Sequence, residues 1–147
     1  HYRSIHHFLF CDLYDWAGQI RTINISKKGT VFVSAAEIQA CADACFTRLA
    51  AFTGEGRSHQ EIIEEIADFY STINMLHPFR EGNGRTQRLF FTQWIRHLGY
   101  EFDLSNADLD EFMIATIYAA QGVMDPLIKF FDETIQEPIV GADMALQ

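Results

Sequence analysis

The stretch His77-Pro-Phe-Arg-Glu-Gly-Asn-Gly-Arg-Thr-Gln-Arg88 divides two long apolar-periodic segments and decides how the chain is organised. Upstream, Ser58-His-Gln-Glu61 has capping-box spacing, and Ile62, Ile66, Phe69 and Ile73 follow on one helical face. Pro78 disfavours helical geometry at His77, so that helix stops near Leu76 and His77 sits where the backbone leaves it. Gly82 and Gly84 permit a tight turn. A second helix then runs from about Asn83 to Leu98, with Phe91, Trp94, Ile95 and Leu98 toward a core and Gly99 as its C-terminal cap.

Working outward, Ile5, Phe8, Leu9 and Leu13 predict a helix over residues 1–14, running into Asp15-Trp-Ala-Gly18 with Gly18 as the stop. Arg21-Thr-Ile-Asn-Ile25 alternates as a strand, Lys27-Lys-Gly-Thr30 as a turn, and Val31-Phe-Val33 as a short return strand. The three together predict a β-hairpin. Ser34-Ala-Ala-Glu37 predicts a capping box opening a helix to about Phe52, and Thr53-Gly-Glu-Gly56 a loop. Ser105 and Asp125-Pro126 predict the starts of two more helices. The sum is a mainly α domain with one small hairpin.

The chain of 147 residues fits one domain, and 48% hydrophobic with 21% charged residues describes a globular one. Its 13 phenylalanines predict aromatic packing in the core. A net charge of −9 argues against a broad nucleic-acid or anionic-membrane surface, which needs many Lys and Arg. The cluster Arg80, Arg85 and Arg88 is therefore more informative than it would be in a basic chain. Cys11, Cys41 and Cys45 are odd in number and lack zinc spacing, so reduced, buried thiols are expected. There is no membrane-length apolar run and no visible signal peptide. The chain lacks an initiator Met and opens in what reads as mid-helix, which suits a fragment.

The central segment carries chemistry. Glycines ahead of a helix N-terminus let backbone N–H groups converge on an anion, helped by the helix dipole. Arg85 and Arg88 lie in the first turns of that helix, where cations oppose the macrodipole. The conflict is resolved if a polyphosphate sits above them, since guanidinium suits bidentate phosphate contacts. His77 can take a proton near neutral pH, Glu81 can hold Mg²⁺ beside phosphate oxygens, and Asn83 can hydrogen-bond phosphate. Singly, each residue is more often structural or a solvated surface group. Their joint occurrence at one locus favours function.

The segment resembles the Fic family signature, His-X-Phe-X-(Asp/Glu)-Gly-Asn-Gly-Arg-X-X-Arg, with every fixed position filled. Trp16-Ala-Gly with Arg21, and Asp125-Pro-Leu-Ile-Lys-Phe130, resemble further family segments, so the likeness covers most of residues 1–136. It implies a Fic-type helical bundle with a β-hairpin flap beside the active site, followed by a tail or linker over 137–147. It implies a protein adenylyltransferase moving AMP from ATP to a Tyr, Thr or Ser hydroxyl. In that scheme His77 is the catalytic base and Glu81 holds Mg²⁺. Gly82, Asn83 and Gly84 form the anion hole. Arg85 meets the β-phosphate and Arg88 the γ-phosphate. The flap, Lys28, Gly29, Thr30, Val31 and Phe32, docks a target segment by strand addition. The phosphotransferase (Doc-like) branch has other residues where Gly82 and Gly84 stand. Transfer of another nucleotide or of phosphocholine, or nucleotide binding without transfer, are the alternatives.

Many members of the family carry an inhibitory Ser/Thr-X-X-X-Glu-(Gly/Asn) whose Glu meets the last arginine of the signature. Here Glu precedes Gly only at Glu55 and Glu81, and Ala51 and His77 stand four residues earlier. A separate antitoxin-like protein, a segment outside these residues, or a different regulation remain open. Some relatives have Asn before Gly for adenine recognition, where this chain has Ala120-Gln121-Gly122. A bacterial cytoplasm and delivery into a host cell as an effector both fit.

Overall fold

The computed structural model describes residues 1–137, and the expected tail over 137–147 lies outside them from 138 onward. Six helices carry the fold: α1 (Tyr2–Phe10), α2 (Ile38–Ala51), α3 (His59–Leu76), α4 (Asn83–His97), α5 (Leu109–Ala120) and α6 (Asp125–Thr134). Two strand pairs accompany them: β1 (Ser26–Lys27) with β2 (Thr30–Val31), and β3 (Glu101–Phe102) with β4 (Ile135–Gln136), both antiparallel.

Helix α3 is the axis. It packs against α2, α4, α5 and α6, and its Ile63, Ile66, Ala67 and Phe69 are all but closed to solvent. Ser58 caps it as expected, its Oγ accepting from the Glu61 N–H at 3.2 Å. Tyr70 stands at the centre of an aromatic cluster, 4.9 Å from Phe91, 4.8 Å from Phe112 and 5.4 Å from Phe131 by ring centroids. The phenylalanine-rich core is thus real, and these edge and tilted contacts suit the ring quadrupoles.

Several boundaries differ from expectation. Helix α1 ends at Phe10 and buries Tyr2, Ile5, His6 and Phe10, whereas Phe8 and Leu13 are exposed. The buried face is therefore set partly by a histidine, which an apolar count passes over. Arg21–Ile25 is not a strand: the hairpin pairs Ser26 with Val31 and Lys27 with Thr30. Lys28 and Gly29 have φ of 49° and 81°, the two consecutive left-handed residues of a tight I′-type turn. Ser34 makes no capping bond; the Ala35 N–H donates to Asn24 Oδ1 at 2.7 Å instead, and a 3-10 turn over Ala35–Glu37 precedes α2. Asp108, not Ser105, caps α5, accepting from the N–H groups of Asp110 and Glu111. Of the cysteines only Cys45 is buried; Cys11 and Cys41 are exposed, and all three are free. The β3–β4 pair joins residues distant in sequence and has no local signal.

Candidate active site

His77 is the C-cap of α3 and adopts φ 41°, ψ 61°. Left-handed backbone at a non-glycine residue costs roughly 1–2 kcal/mol, so neighbours must hold it. Its N–H donates to the Ile73 carbonyl at 3.2 Å, and its carbonyl accepts from Arg21 Nε at 2.7 Å. The imidazole lies under the flap, stacked on Phe32 with centroids 3.8 Å apart and planes 12° apart. Nδ1 is buried with no partner in hydrogen-bond geometry. Burial pushes the His77 pKa down to about 4; the nearby Asn74 main chain opposes this, while the charges of Arg21 and Lys27 assist it. The ring is therefore neutral at pH 7.

The loop after His77 is stitched inward. Phe79 is fully buried and stacks on His6 at 3.9 Å. The Asn83 side chain brackets Phe79: Oδ1 accepts from its N–H at 2.9 Å, and Nδ2 donates to its carbonyl at 2.7 Å. That side chain is committed to the loop, so what Asn83 can offer an anion is its main-chain N–H. Gly82 is left-handed at φ 80°, and a Cβ there would lie 2.4 Å from Phe10 Cε2. Gly84 is different: its φ is not positive, and a Cβ would meet only the flexible end of Arg88 at 3.0 Å.

Sequence reasoning passed over His6. It is fully buried, its Nδ1 accepts from the Gly18 N–H at 2.8 Å, and its Nε2 lies 2.8 Å from the Glu81 carbonyl. The first contact fixes the tautomer, so Nε2–H donates and holds the main chain of Glu81 in place. Desolvation lowers the His6 pKa. Spacing alone gives no hint of this; a buried imidazole becomes visible only when both partners are placed.

Helix α4 begins without a side-chain cap and without an acidic residue in its first turn. Its free N–H groups open into a cleft of about 480 Å³, lined by His77, Glu81, Gly82, Asn83, Gly84 and Arg85, with Lys27 and Phe32 on the flap side. A neighbouring cavity of about 350 Å³ carries Arg88, Tyr70, Asn74, Phe112 and Met113 and shares Lys27, Phe32 and Gly84 with the first. The flap and the start of α4 form the wall between them. Lys28 Nζ reaches Met113 Sδ at 3.9 Å, so the hairpin turn bridges to α5. Most of the expected site residues thus lie around one partition, Arg85 on one side and Arg88 on the other, whereas Gly29 and Val31 of the flap line neither cavity. Neither arginine, nor Glu81, takes part in an ion pair among the described residues. Arg85 lies over Phe10 at 5.3 Å, and Arg80 over Trp16 at 5.2 Å.

Glu81 is the one exposed carboxylate on the cleft, and no group of three His, Cys, Asp or Glu among the described residues could hold a metal. A lone carboxylate suits an ion that takes its remaining ligands from phosphate and water, as Mg²⁺ does, and does not suit zinc.

An uncapped helix N-terminus, Arg85 and a neutral histidine thus share one flap-covered cleft of a helical bundle, with Arg88 in the adjoining cavity. The chain belongs to the Fic/DOC family, whose model matches residues 1–95. It is 40% identical over 129 residues to a Sinorhizobium fredii protein named "Probable protein adenylyltransferase", covering 86% of this chain and 67% of that one. A Salmonella typhimurium protein of the same description is 34% identical, covering 93% and 69%. Among solved structures, the N-terminal Fic domain of a VirB-translocated Bep effector from Bartonella quintana, with bound ADP, superposes with a TM-score of 0.87. It is 27% identical, covering 99% of this chain and 74% of that one.

Proposed function

We propose that this chain is a protein adenylyltransferase that transfers AMP from ATP to a Tyr, Thr or Ser hydroxyl of a target protein and releases pyrophosphate. The observation that carries the proposal is a neutral, buried-side histidine facing the same cleft as the uncapped start of α4. The names of the two relatives agree with it.

In this scheme the target hydroxyl approaches His77. Because Nδ1 is buried, Nε2 is the nitrogen that takes the proton. The hydroxyl oxygen bonds to the α-phosphorus, and the bond from that phosphorus to the bridging oxygen breaks. Negative charge gathers on the departing pyrophosphate. In this reading the N–H groups of Gly82, Asn83 and Gly84 and the guanidinium of Arg85 receive it, with Arg88 for the γ-phosphate. Glu81 is the residue that would hold Mg²⁺, which when bound neutralises phosphate charge. The apolar wall of Phe112, Met113 and Ile117 offers a surface on which a base can stack. Residues 1–136 would act as one catalytic domain.

Both hairpin strands are edges, and Val31 is exposed, so the flap offers main-chain groups to an extended target segment. Arg88 has no carboxylate partner among the described residues, which leaves room for a separate antitoxin-like inhibitor. No helix of the described residues is long and apolar enough to cross a membrane. The Bartonella neighbour is named a translocated effector; for this chain, delivery into a host cell and action in a bacterial cytoplasm are the two corresponding readings. The test is incubation with Mg-ATP and candidate target proteins followed by intact mass. An AMP adduct with the wild type and none with His77→Ala is expected; no adduct from either sinks the proposal.

A further inference from the structure

Arg21 is 2% exposed and takes part in no ion pair among the described residues. Its charge is held by main-chain carbonyls alone. Nε donates to His77 O at 2.7 Å, Nη1 to Ile23 O at 2.7 Å, and Nη2 to both Val33 O and Leu76 O. Its own N–H donates to Pro78 O at 2.8 Å. Two of these carbonyls end α3, where a cation complements the helix dipole. The other two lie on the two legs of the flap. The Val33 N–H adds a second stitch, to Met75 O at 3.0 Å.

We infer that Arg21 is the positioning residue that locks the left-handed His77 backbone and the flap into one unit, setting both the base and the Phe32 ring stacked on it. The inference rests on the transferase reading for its consequence in catalysis. The argument is one of reach. The guanidinium fork sends donors in several fixed directions from one plane, which an ammonium on a flexible stem cannot reproduce. Loss of the fork frees the His77 carbonyl and both flap legs together. The ring's proton affinity is set first by its burial, then by the Asn74 main chain and the charges of Arg21 and Lys27; Tyr14, Arg80, Glu81 and Arg85 are the other titratable groups lining its cleft.

Arg21→Lys keeps the charge and removes the fork; Arg21→Gln removes both. With Arg21→Lys, calorimetry should show ATP-analogue affinity within about 3-fold of wild type, while kcat for target modification falls by about 100-fold, the usual scale for a small misplacement of reacting groups. Without any substrate, exchange of the Val33 amide should speed at least 10-fold, and NMR titration of the His77 ring should move up from about 4 as Phe32 withdraws. Arg21→Gln should raise that titration further. Unchanged Val33 protection and an unchanged His77 titration in Arg21→Lys overturn the inference, whether or not any target is modified. An inactive wild type with the exchange and titration changes present leaves the positioning intact and removes the transferase reading. If circular dichroism shows Arg21→Lys unfolded, the wild-type Arg21 Nε–H decides. Slow exchange, as for core amides, supports the lock, and fast exchange overturns it.

Discussion

The Phe32 ring lies nearly parallel to the His77 ring at 3.8 Å, so the flap is a lid on the imidazole. Phe32 itself is buried although Val31 beside it is exposed. Removing the lid rehydrates the imidazole. Phe32→Ala should raise the His77 pKa from about 4 toward its ordinary value near 6.5, carrying the acid limb of kcat/KM to higher pH. A pH–rate profile checks this; an acid limb that stays in place refutes it.

Acid should loosen the fold before the carboxylates titrate fully. His77 has a folded pKa of about 4, and the unfolded chain titrates near 6.5, so between those values the unfolded state binds more protons. Stability therefore falls as pH drops through that window and levels off below it. His6, also lowered by burial, acts in the same direction. Urea unfolding at pH 7 and pH 5 should differ by roughly 1–2 kcal/mol through His77 alone. His77→Gln should remove that part of the difference.

Gly82→Ala should be poorly tolerated for two separable reasons, the left-handed φ of 80° and the approach of a Cβ to within 2.4 Å of Phe10 Cε2. A loss of about 1–3 kcal/mol is expected. Phe10→Leu in the same chain should recover the steric part only, so the pair should show positive coupling in a double-mutant cycle of thermal unfolding. Strict additivity would mean that the ring does not set the constraint.

Glu81→Ala should leave unfolding unaltered within about 0.5 kcal/mol, because the side chain is exposed and unpaired while its carbonyl, not its carboxylate, is what His6 holds. The Mg²⁺ concentration for half-maximal modification should rise at least 10-fold. Equal Mg²⁺ dependence in both proteins would remove Glu81 as the ion's ligand.

Much of this site was legible because it is local. Pro78 ends one helix, Gly82 takes a conformation other residues resist, and the residues between are consecutive, so their neighbourhood follows from sequence order. The stacking of Phe32 on His77 and the bracketing of Phe79 by Asn83 depend on side-chain direction, which spacing does not carry. Arg21 misled in an instructive way. The alternation Arg21-Thr-Ile-Asn-Ile25 imitates a strand, yet Ile23 is exposed and Arg21 is the buried member. A buried guanidinium satisfied by carbonyls looks polar to a pattern. Ser105 and Asp108 both offer an oxygen before α5, and only the backbone path chooses Asp108. The β3–β4 pair required knowing that α6 returns beside the end of α4.

The arginines and Lys27 gather in a chain whose net charge is −9. A nucleotide arriving from solution therefore meets repulsion far out and attraction only near the cleft mouth. Added salt shortens the reach of both fields, but the distant one is screened first. Encounter should quicken with ionic strength while residence shortens, so on-rate and affinity would slope in opposite directions.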